Sequence, residues 1–118
     1  MTTAKKLDQH YSWNDYRSWP DDERWEIISG EAFAMSGPRT RHQAISRELS
    51  AELCLFFRGR DCDLFTAPMD VRLSDQDVVQ PDHLVVCDPD QITETYIEGA
   101  PTLVIEILSP SSHIHDRV

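Results

Sequence analysis

The sequence predicts an α+β fold with several strands, one long helix and one short helix. Two short apolar runs meet at Gly30, which is typical of a β-hairpin with a glycine of positive φ at its turn. Residues 40–58 repeat apolar side chains at helical spacing. Residues 102–108 form an almost unbroken aliphatic and β-branched run, which is typical of a central strand buried on both faces. Applied to the whole chain, the same criteria give about five or six strands.

Size and composition indicate one globular domain. The chain has 118 residues, of which 40% are hydrophobic and 27% are charged, so it can build one core. We assign residues 1–118 to a single domain and expect residues 1–11, which are mostly polar, to form a flexible N-terminus. No apolar run approaches the ~18 residues of a membrane span, so no membrane partner is expected.

The cysteines bear on location. Cys54, Cys62 and Cys87 are odd in number and lack metal-ligand spacing, which argues against a disulfide framework and a structural zinc site. We therefore expect reduced thiols and a cytoplasmic protein.

The first elements follow local signals. Ser12 and Asp15 have capping-box spacing and predict a short helix over about residues 13–18. The hairpin strands are predicted over Arg24–Ser29 and Glu31–Ser36.

The long helix is predicted over Thr40–Arg58, with Gly59 as its C-cap. Glu52 lies within its apolar stripe, which a simple core helix would not contain. The stripe consists of Ile45, Leu49, Leu53 and Phe56.

The second half of the chain is predicted to be mainly β. We expect strands over 64–67 and 69–73, a longer strand over 78–87 and the central strand over 102–108. Between them, residues 88–99 are polar and carry no clear element signal. A central strand needs neighbours on both sides, and the edge that this count of strands leaves exposed favours a homo-oligomer.

The charge pattern bears on nucleic acid as a partner. A net charge of −10 opposes non-specific attraction to a polyanion, so any affinity for DNA should be modest and salt-sensitive. Residues 39–60, however, contain five arginines and only two acids. This segment is either a local basic face or an ordinary solvated helix face.

Two acids stand at positions that suggest chemistry. Glu106 interrupts the most hydrophobic predicted strand, where an unpaired carboxylate would be costly to bury. Asp82 follows Pro81 at the entry to another predicted strand, on the face shared with Leu84 and Val86. If the strands are neighbours, the two carboxylates meet and can bind a hard cation such as Mg²⁺. Alternatively, Glu106 pairs with an arginine of the long helix and Asp82 only ends a turn.

Several motifs occur in an order that resembles a known family, the Uma-type family of putative restriction endonucleases in the PD-(D/E)XK phosphodiesterase superfamily. The resemblance runs from about Trp13 to Asp116 and depends most on Pro81-Asp82 followed by Glu106-Ile-Leu-Ser-Pro-Ser. The full set comprises Arg24–Glu31, His42–Ser46, Ala67–Leu73, Val79–Asp82 and Gly99–Ser112.

The resemblance implies a mixed β-sheet flanked by helices, a restriction-endonuclease-like fold, and hydrolysis of DNA phosphodiester bonds with Mg²⁺ or Mn²⁺ as cofactor. It implies that Asp82 and Glu106 are catalytic and hold the metal. Glu31 matches a third acid of the family, or is a solvated hairpin residue. His42 matches a helix-start histidine that contacts phosphate or orients a ligand, or only packs the helix end. Asp70 lies in a matching segment and is a further candidate.

The superfamily lysine is missing from this chain. The Glu-x-Lys signature would place it at Leu108, and no lysine follows Lys6. In similar members it lies on a later helix, beyond the position of Asp116, and the family domain continues further. We therefore expect an incomplete domain that lacks the C-terminal part. The alternative to an endonuclease is a catalytically inactive relative that acts as a binding or interaction module.

Overall fold

The computed structural model describes residues 3–5 and 9–108 as two β-sheets with two α-helices. The sequence-derived predictions for 1–2, 6–8 and 109–118 lie outside these residues. The elements are β1 (Thr3–Lys5), α1 (Trp13–Arg17), β2 (Trp25–Ile28), β3 (Glu31–Ala34), α2 (Thr40–Phe57), β4 (Asp63–Thr66), β5 (Asp70–Ser74), β6 (Asp77–Val79), β7 (His83–Val86), a 3-10 turn (Pro89–Gln91), β8 (Tyr96–Glu98) and β9 (Leu103–Ile105).

The larger sheet has six strands in the order β1-β3-β2-β6-β5-β8. All its pairs are antiparallel except β5 with β8, so the sheet is mixed, as predicted. Ser29 and Gly30 turn the β2–β3 hairpin with φ angles of 51° and 81°, which is the geometry that favours glycine. The pairing of β1 with β3 differs from the prediction that all of residues 1–11 are flexible.

The smaller sheet has three antiparallel strands in the order β4-β7-β9. One of its faces packs on the larger sheet through a core that includes Val71 and Ile97 from one sheet and Leu84 and Val86 from the other. Helix α1 covers the opposite face of the larger sheet through Trp13. Helix α2 packs on the smaller sheet, mainly on β4. Both sheets are therefore flanked by helices, which confirms the predicted fold class.

The prediction of one strand over residues 78–87 is wrong. β6 belongs to the larger sheet and β7 to the smaller one, so the chain changes sheets through Gln80, Pro81 and Asp82. Proline has no N–H to donate to a ladder, and Pro81 is fully buried at this crossing. The apolar residues on the two sides of the crossing belong to different strands, because Val78 is buried in β6 and Leu84, Val85 and Val86 are buried in β7.

The prediction that residues 102–108 form a central strand buried on both faces is also wrong for the part of the chain that the structure describes. There, β9 pairs only with β7 and is an edge strand. Leu103 and Val104 are each 43% exposed, and Glu106 is exposed as well. The aliphatic composition therefore marks a surface that no described residue covers.

Helix α2 begins at Thr40, as predicted, and ends at Phe57, one residue before the predicted end. Its stripe does not enter a core, because none of its residues is buried and Phe56 is 57% exposed. The half-buried side chains of α2 include His42, Ser46 and Ser50, which face the smaller sheet.

The prediction of reduced cysteines is wrong for two of the three. Cys62 and Cys87 form a disulfide, while Cys54 is free and exposed. The bond follows from the register of β4 with β7. Asp63 opposes Val86, so Cys62, which precedes Asp63, lies opposite Cys87, which follows Val86. The thiol argument for a cytoplasmic protein therefore no longer holds.

Two further elements were not predicted. β8 and the 3-10 turn lie in the polar segment 88–99, and β8 pairs with β5 in parallel.

Over residues 3–5 and 9–108, no helix combines the length and apolarity that crossing a bilayer would require.

Candidate metal centre

Asp82 and Glu106 lie side by side just beyond the last ladder pair of β7 and β9. That pair is His83 with Ile105, so the next positions outward are Asp82 and Glu106. The Asp82 backbone N–H donates to Glu106 Oε1 at 3.1 Å, and the Ile107 N–H donates to Asp82 Oδ2 at 2.7 Å. Each carboxylate thus accepts a backbone N–H from the opposite segment, and the two acids interlock.

The backbone at Asp82 is held from the other side as well. The Ala67 N–H donates to the Asp82 carbonyl at 3.0 Å, which extends the pairing of β4 with β7 by one bond. Asp82 therefore lies between the ends of two neighbouring segments, and its position is set by the backbone of both.

His42 is the third group at this position. Its Nε2 lies 3.1 Å from Asp82 Oδ1, and the two side chains are only 20% and 17% exposed. His42 is in the first turn of α2, so the start of the helix is what brings the ring to the carboxylate. Its Nδ1 is buried and meets no hydrogen-bonding partner among the described residues. The surroundings therefore favour the tautomer in which Nε2 carries the proton and donates to Asp82.

This donor set fits a hard divalent cation. Mg²⁺ is usually held by one or two carboxylates, and water and substrate phosphate complete its octahedron. Asp82 and Glu106 supply two carboxylates at the surface of the molecule. Within residues 3–5 and 9–108, no group of three or more His, Cys, Asp or Glu side chains is placed to hold a metal ion. A cation held by these two carboxylates would therefore take its remaining ligands from water and substrate.

Glu31 is not brought to this cluster. It is exposed at the turn end of the β2–β3 hairpin, in the larger sheet, where it opposes Ile28. Its role as a third acid stays a prediction from the family pattern.

Asp70 belongs to a different polar network, on the larger sheet. Its Oδ1 accepts the Tyr16 hydroxyl at 2.5 Å and the Gln80 side-chain amide at 3.0 Å. Burial and the adjacent Asp70 carboxylate raise the pKa of Tyr16 above its ordinary range. A cavity of about 550 Å³, lined by Tyr16, Asp70, Trp19 and Trp25 among others, adjoins this network.

Three residues near the cluster escaped prediction. His83, Ser46 and Ser50 form hydrogen bonds beneath α2, and His83 is fully buried. His83 faces away from Asp82, as strand alternation predicts. The spacing of His42, Ser46 and Ser50 at every fourth residue is the sequence signal that could have identified one polar face of the helix.

Arg60, one of the arginines of the segment 39–60, lies at the end of α2 that is remote from His42. Arg60 stacks on Phe56 with its guanidinium 4.3 Å from the ring centroid, and its Nε donates to the Phe56 carbonyl. That end of α2 is about 25 Å from the turn that carries His42.

Comparison with known proteins identifies the family. The family model described as "Uma2: Putative restriction endonuclease" matches residues 13–118. The uncharacterized protein slr1290 of Synechocystis sp. (strain ATCC 27184 / PCC 6803 / Kazusa) is 33% identical over 106 residues, which are 87% of this chain and 56% of that protein.

A solved structure has the same fold. The crystal structure of a putative nuclease belonging to DUF820 from Anabaena variabilis ATCC 29413 matches with a TM-score of 0.71 and 20% identity, over 91% of this chain and 65% of that one. The chain thus spans about half of the curated relative and about two thirds of the solved structure. Since the family model covers nearly all of it, the chain belongs to the Uma2 family of putative restriction endonucleases.

Proposed function

We propose that this chain carries the metal-binding carboxylates of an endonuclease that hydrolyses DNA phosphodiester bonds. Asp82 and Glu106 would hold Mg²⁺ or Mn²⁺, and His42 would orient Asp82. The observation that carries the proposal is the interlocked pair of carboxylates with the imidazole 3.1 Å from one of them. The family description and the fold of the solved relative supply the reaction class.

The arrangement divides the work between the side chains. The Ile107 N–H and the His42 ring hold one oxygen each of the Asp82 carboxylate, so its orientation is fixed before any ligand arrives. Glu106 accepts the Asp82 N–H through Oε1. A divalent cation in such a site supplies the Lewis acidity that polarises a phosphodiester and favours deprotonation of an attacking water.

The proposal is tested by calorimetric titration of Mg²⁺ and Mn²⁺ into wild type, Asp82→Asn and Glu106→Gln, with plasmid nicking assayed on the same samples. We expect binding and nicking in wild type, and both lost in the two variants. Asp63→Asn is the matched control, because Asp63 is an exposed acid of the same sheet. Equal binding in Asp82→Asn and wild type would contradict the assignment.

One feature favours a second candidate, a catalytically inactive relative that acts as an interaction module. Leu108 stands where the superfamily's Glu-x-Lys signature has its lysine, so a cation beside the phosphate has no counterpart at this position. Loss of such an electrostatic group typically costs about 10²–10³ in rate. Metal binding without detectable nicking is the outcome that selects this candidate.

We also propose that the chain self-associates. The outer edge of β9 pairs with no strand among the described residues, and its Leu103 and Val104 are each 43% exposed. Exposed apolar edges of this kind favour pairing with another chain. Light scattering after size exclusion should give a mass above 13.6 kDa. A monomer mass at every concentration would exclude self-association.

A further inference from the structure

Helix α2 is held to the body of the protein in an unusual way. It has 18 residues and none of them is fully buried, so no side chain of the helix is enclosed in an apolar core. What it presents to the smaller sheet includes His42, Ser46 and Ser50, which are spaced one helical turn apart on one face. We call these three side chains, together with the His83 ring that contacts the two serines, the polar seam.

His83 is the centre of the seam. It is fully buried in β7, and its Nε2 lies 2.9 Å from Ser50 Oγ, 3.3 Å from Ser46 Oγ and 3.2 Å from the Ser46 carbonyl oxygen. Its Nδ1 is buried and has no hydrogen-bonding partner among residues 9–108. A proton on Nδ1 would therefore be a buried donor without an acceptor, so the surroundings favour the tautomer with the proton on Nε2. This N–H points at the helix.

The contacts of the polar seam are hydrogen bonds, whose strength depends on direction, and in this they differ from the apolar contacts of α2. Half-buried apolar residues such as Leu49 and Leu53 also face inward, but apolar contact is nearly indifferent to small rotations of the helix. A hydrogen bond weakens steeply when its angle or distance changes. The bonds from His83 to Ser46 and Ser50 therefore fix the rotation of α2 about its axis and its position along it.

We propose that His83 is a positioning residue that acts on Asp82 through the helix. By holding Ser46 and Ser50, it sets the rotation at which His42, one turn earlier on the same face, meets the Asp82 carboxylate. The part of this inference that concerns metal binding rests on the proposed function, whereas the part that concerns His42 does not.

The first test uses the metal-free protein. Histidine side-chain ¹⁵N spectra of wild type should show His42 in the Nε2–H tautomer with its proton slow to exchange. In Ser46→Ala/Ser50→Ala, we expect a mixture of tautomers and faster exchange at His42. Gln43→Ala/Arg47→Ala is the matched control, because it makes two substitutions in the same turns on the exposed face and should leave His42 unchanged.

A conservative variant separates positioning from general damage. Ser46→Ala/Ser50→Thr restores the hydroxyl at 2.9 Å from His83 and should return His42 toward its wild-type spectrum. Unchanged His42 signals in the double alanine variant, with helicity intact by circular dichroism, would overturn the proposal. So would equal loss in the alanine and threonine variants.

The second readout is the Mn²⁺ dissociation constant from calorimetry. The double alanine variant should bind Mn²⁺ roughly tenfold more weakly than wild type, which is the scale of disturbing a ligand's outer partner. If wild type binds no Mn²⁺, the proposed function fails while the spectra of the metal-free protein still decide the role of His83. If wild type binds and the double alanine variant binds equally well, the positioning role at the metal site fails alone.

Discussion

The two helices of this protein are attached by opposite means. Helix α1 has five residues, yet it buries Trp13 against the larger sheet, where the ring stacks on Tyr16 and packs at a tilt against Tyr96, with ring centroids 5.7 Å and 4.8 Å apart. Helix α2 has 18 residues, fully buries none, and meets the smaller sheet through half-buried residues that include Leu49 and Leu53 and through hydrogen bonds to His83. Length therefore says little about how firmly a helix is held. The aromatic packing of α1 stabilises the fold, whereas the hydrogen bonds between α2 and His83 define the rotation of α2 about its axis.

Truncating the aromatic anchor should cost the most. Trp13→Ala removes the buried ring of the α1 side and should lower the free energy of unfolding by about 3–5 kcal/mol. Urea denaturation followed by fluorescence and circular dichroism measures the change. Leu55→Ala, on the exposed face of α2, is the control and should stay within about 0.5 kcal/mol of wild type. Similar losses in both variants would refute the contrast between the helices.

The disulfide should have the next largest effect, on the side of the smaller sheet. It joins residues 25 apart, and replacing it in Cys62→Ala/Cys87→Ala should cost about 3 kcal/mol, since the unfolded chain regains the freedom of that loop. Urea denaturation of this variant beside Cys54→Ala gives the comparison, because Cys54 is free. Unfolding that is equally insensitive to both changes would mean that the bond does not stabilise the sheet.

Opening the polar seam should cost less. Ser46→Ala/Ser50→Ala leaves the buried His83 N–H with only the longer contact to the Ser46 carbonyl, so we expect a loss of about 1–2 kcal/mol in unfolding free energy. The Gln43→Ala/Arg47→Ala variant should be close to wild type. A loss as large as that of Trp13→Ala would show that the seam carries stability comparable to the aromatic anchor.

The smallest effect is a pH dependence on the aromatic side. Burial and the Asp70 carboxylate raise the pKa of Tyr16, so the folded phenol keeps its proton where the unfolded one loses it. Because the unfolded chain then binds fewer protons, stability should fall as the pH rises above about 10. Tyr16→Phe should show a shallower fall between about pH 9 and pH 11 in denaturation series. Identical slopes in the two proteins would contradict the shift.

The sequence predicts those parts of the fold that depend on neighbours along the chain. The capping pair is present as expected, with the Ser12 N–H donating to Asp15 at 2.9 Å, and Gly30 occupies the hairpin turn. The ends of α2 also agree to within a residue, because local apolar spacing marks the helix and Gly59, with a φ of 77°, follows its end.

Features that depend on distant residues were beyond the sequence. The run 78–87 has apolar residues at both ends of Gln80-Pro81-Asp82, and periodicity alone could not show that its two halves enter different sheets. The Cys62–Cys87 bond depends on the register of β4 with β7 in the same way.

In the candidate site, too, local patterns predict individual residues, whereas their contacts depend on distant parts of the chain. Strand alternation predicts the shared face of Asp82 and Glu106, but only the pairing of β7 with β9 brings them together. His42 was predicted from the family pattern, and its contact with Asp82 depends on the rotation of α2. Nothing local marks His83 as more than a buried strand residue.

The interlocking of Asp82 and Glu106 also makes local opening measurable at the edge of the smaller sheet. Beyond the last ladder pair, the amide protons of Asp82 and Ile107 are shielded by carboxylate oxygens of the opposite segment and not by strand carbonyls. Any ligand that draws on those oxygens must change how fast these two amides exchange with deuterium. Ligand binding at the two carboxylates is therefore coupled to local opening of the edge strand. Amide exchange at Asp82 and Ile107 can follow this coupling without any substrate.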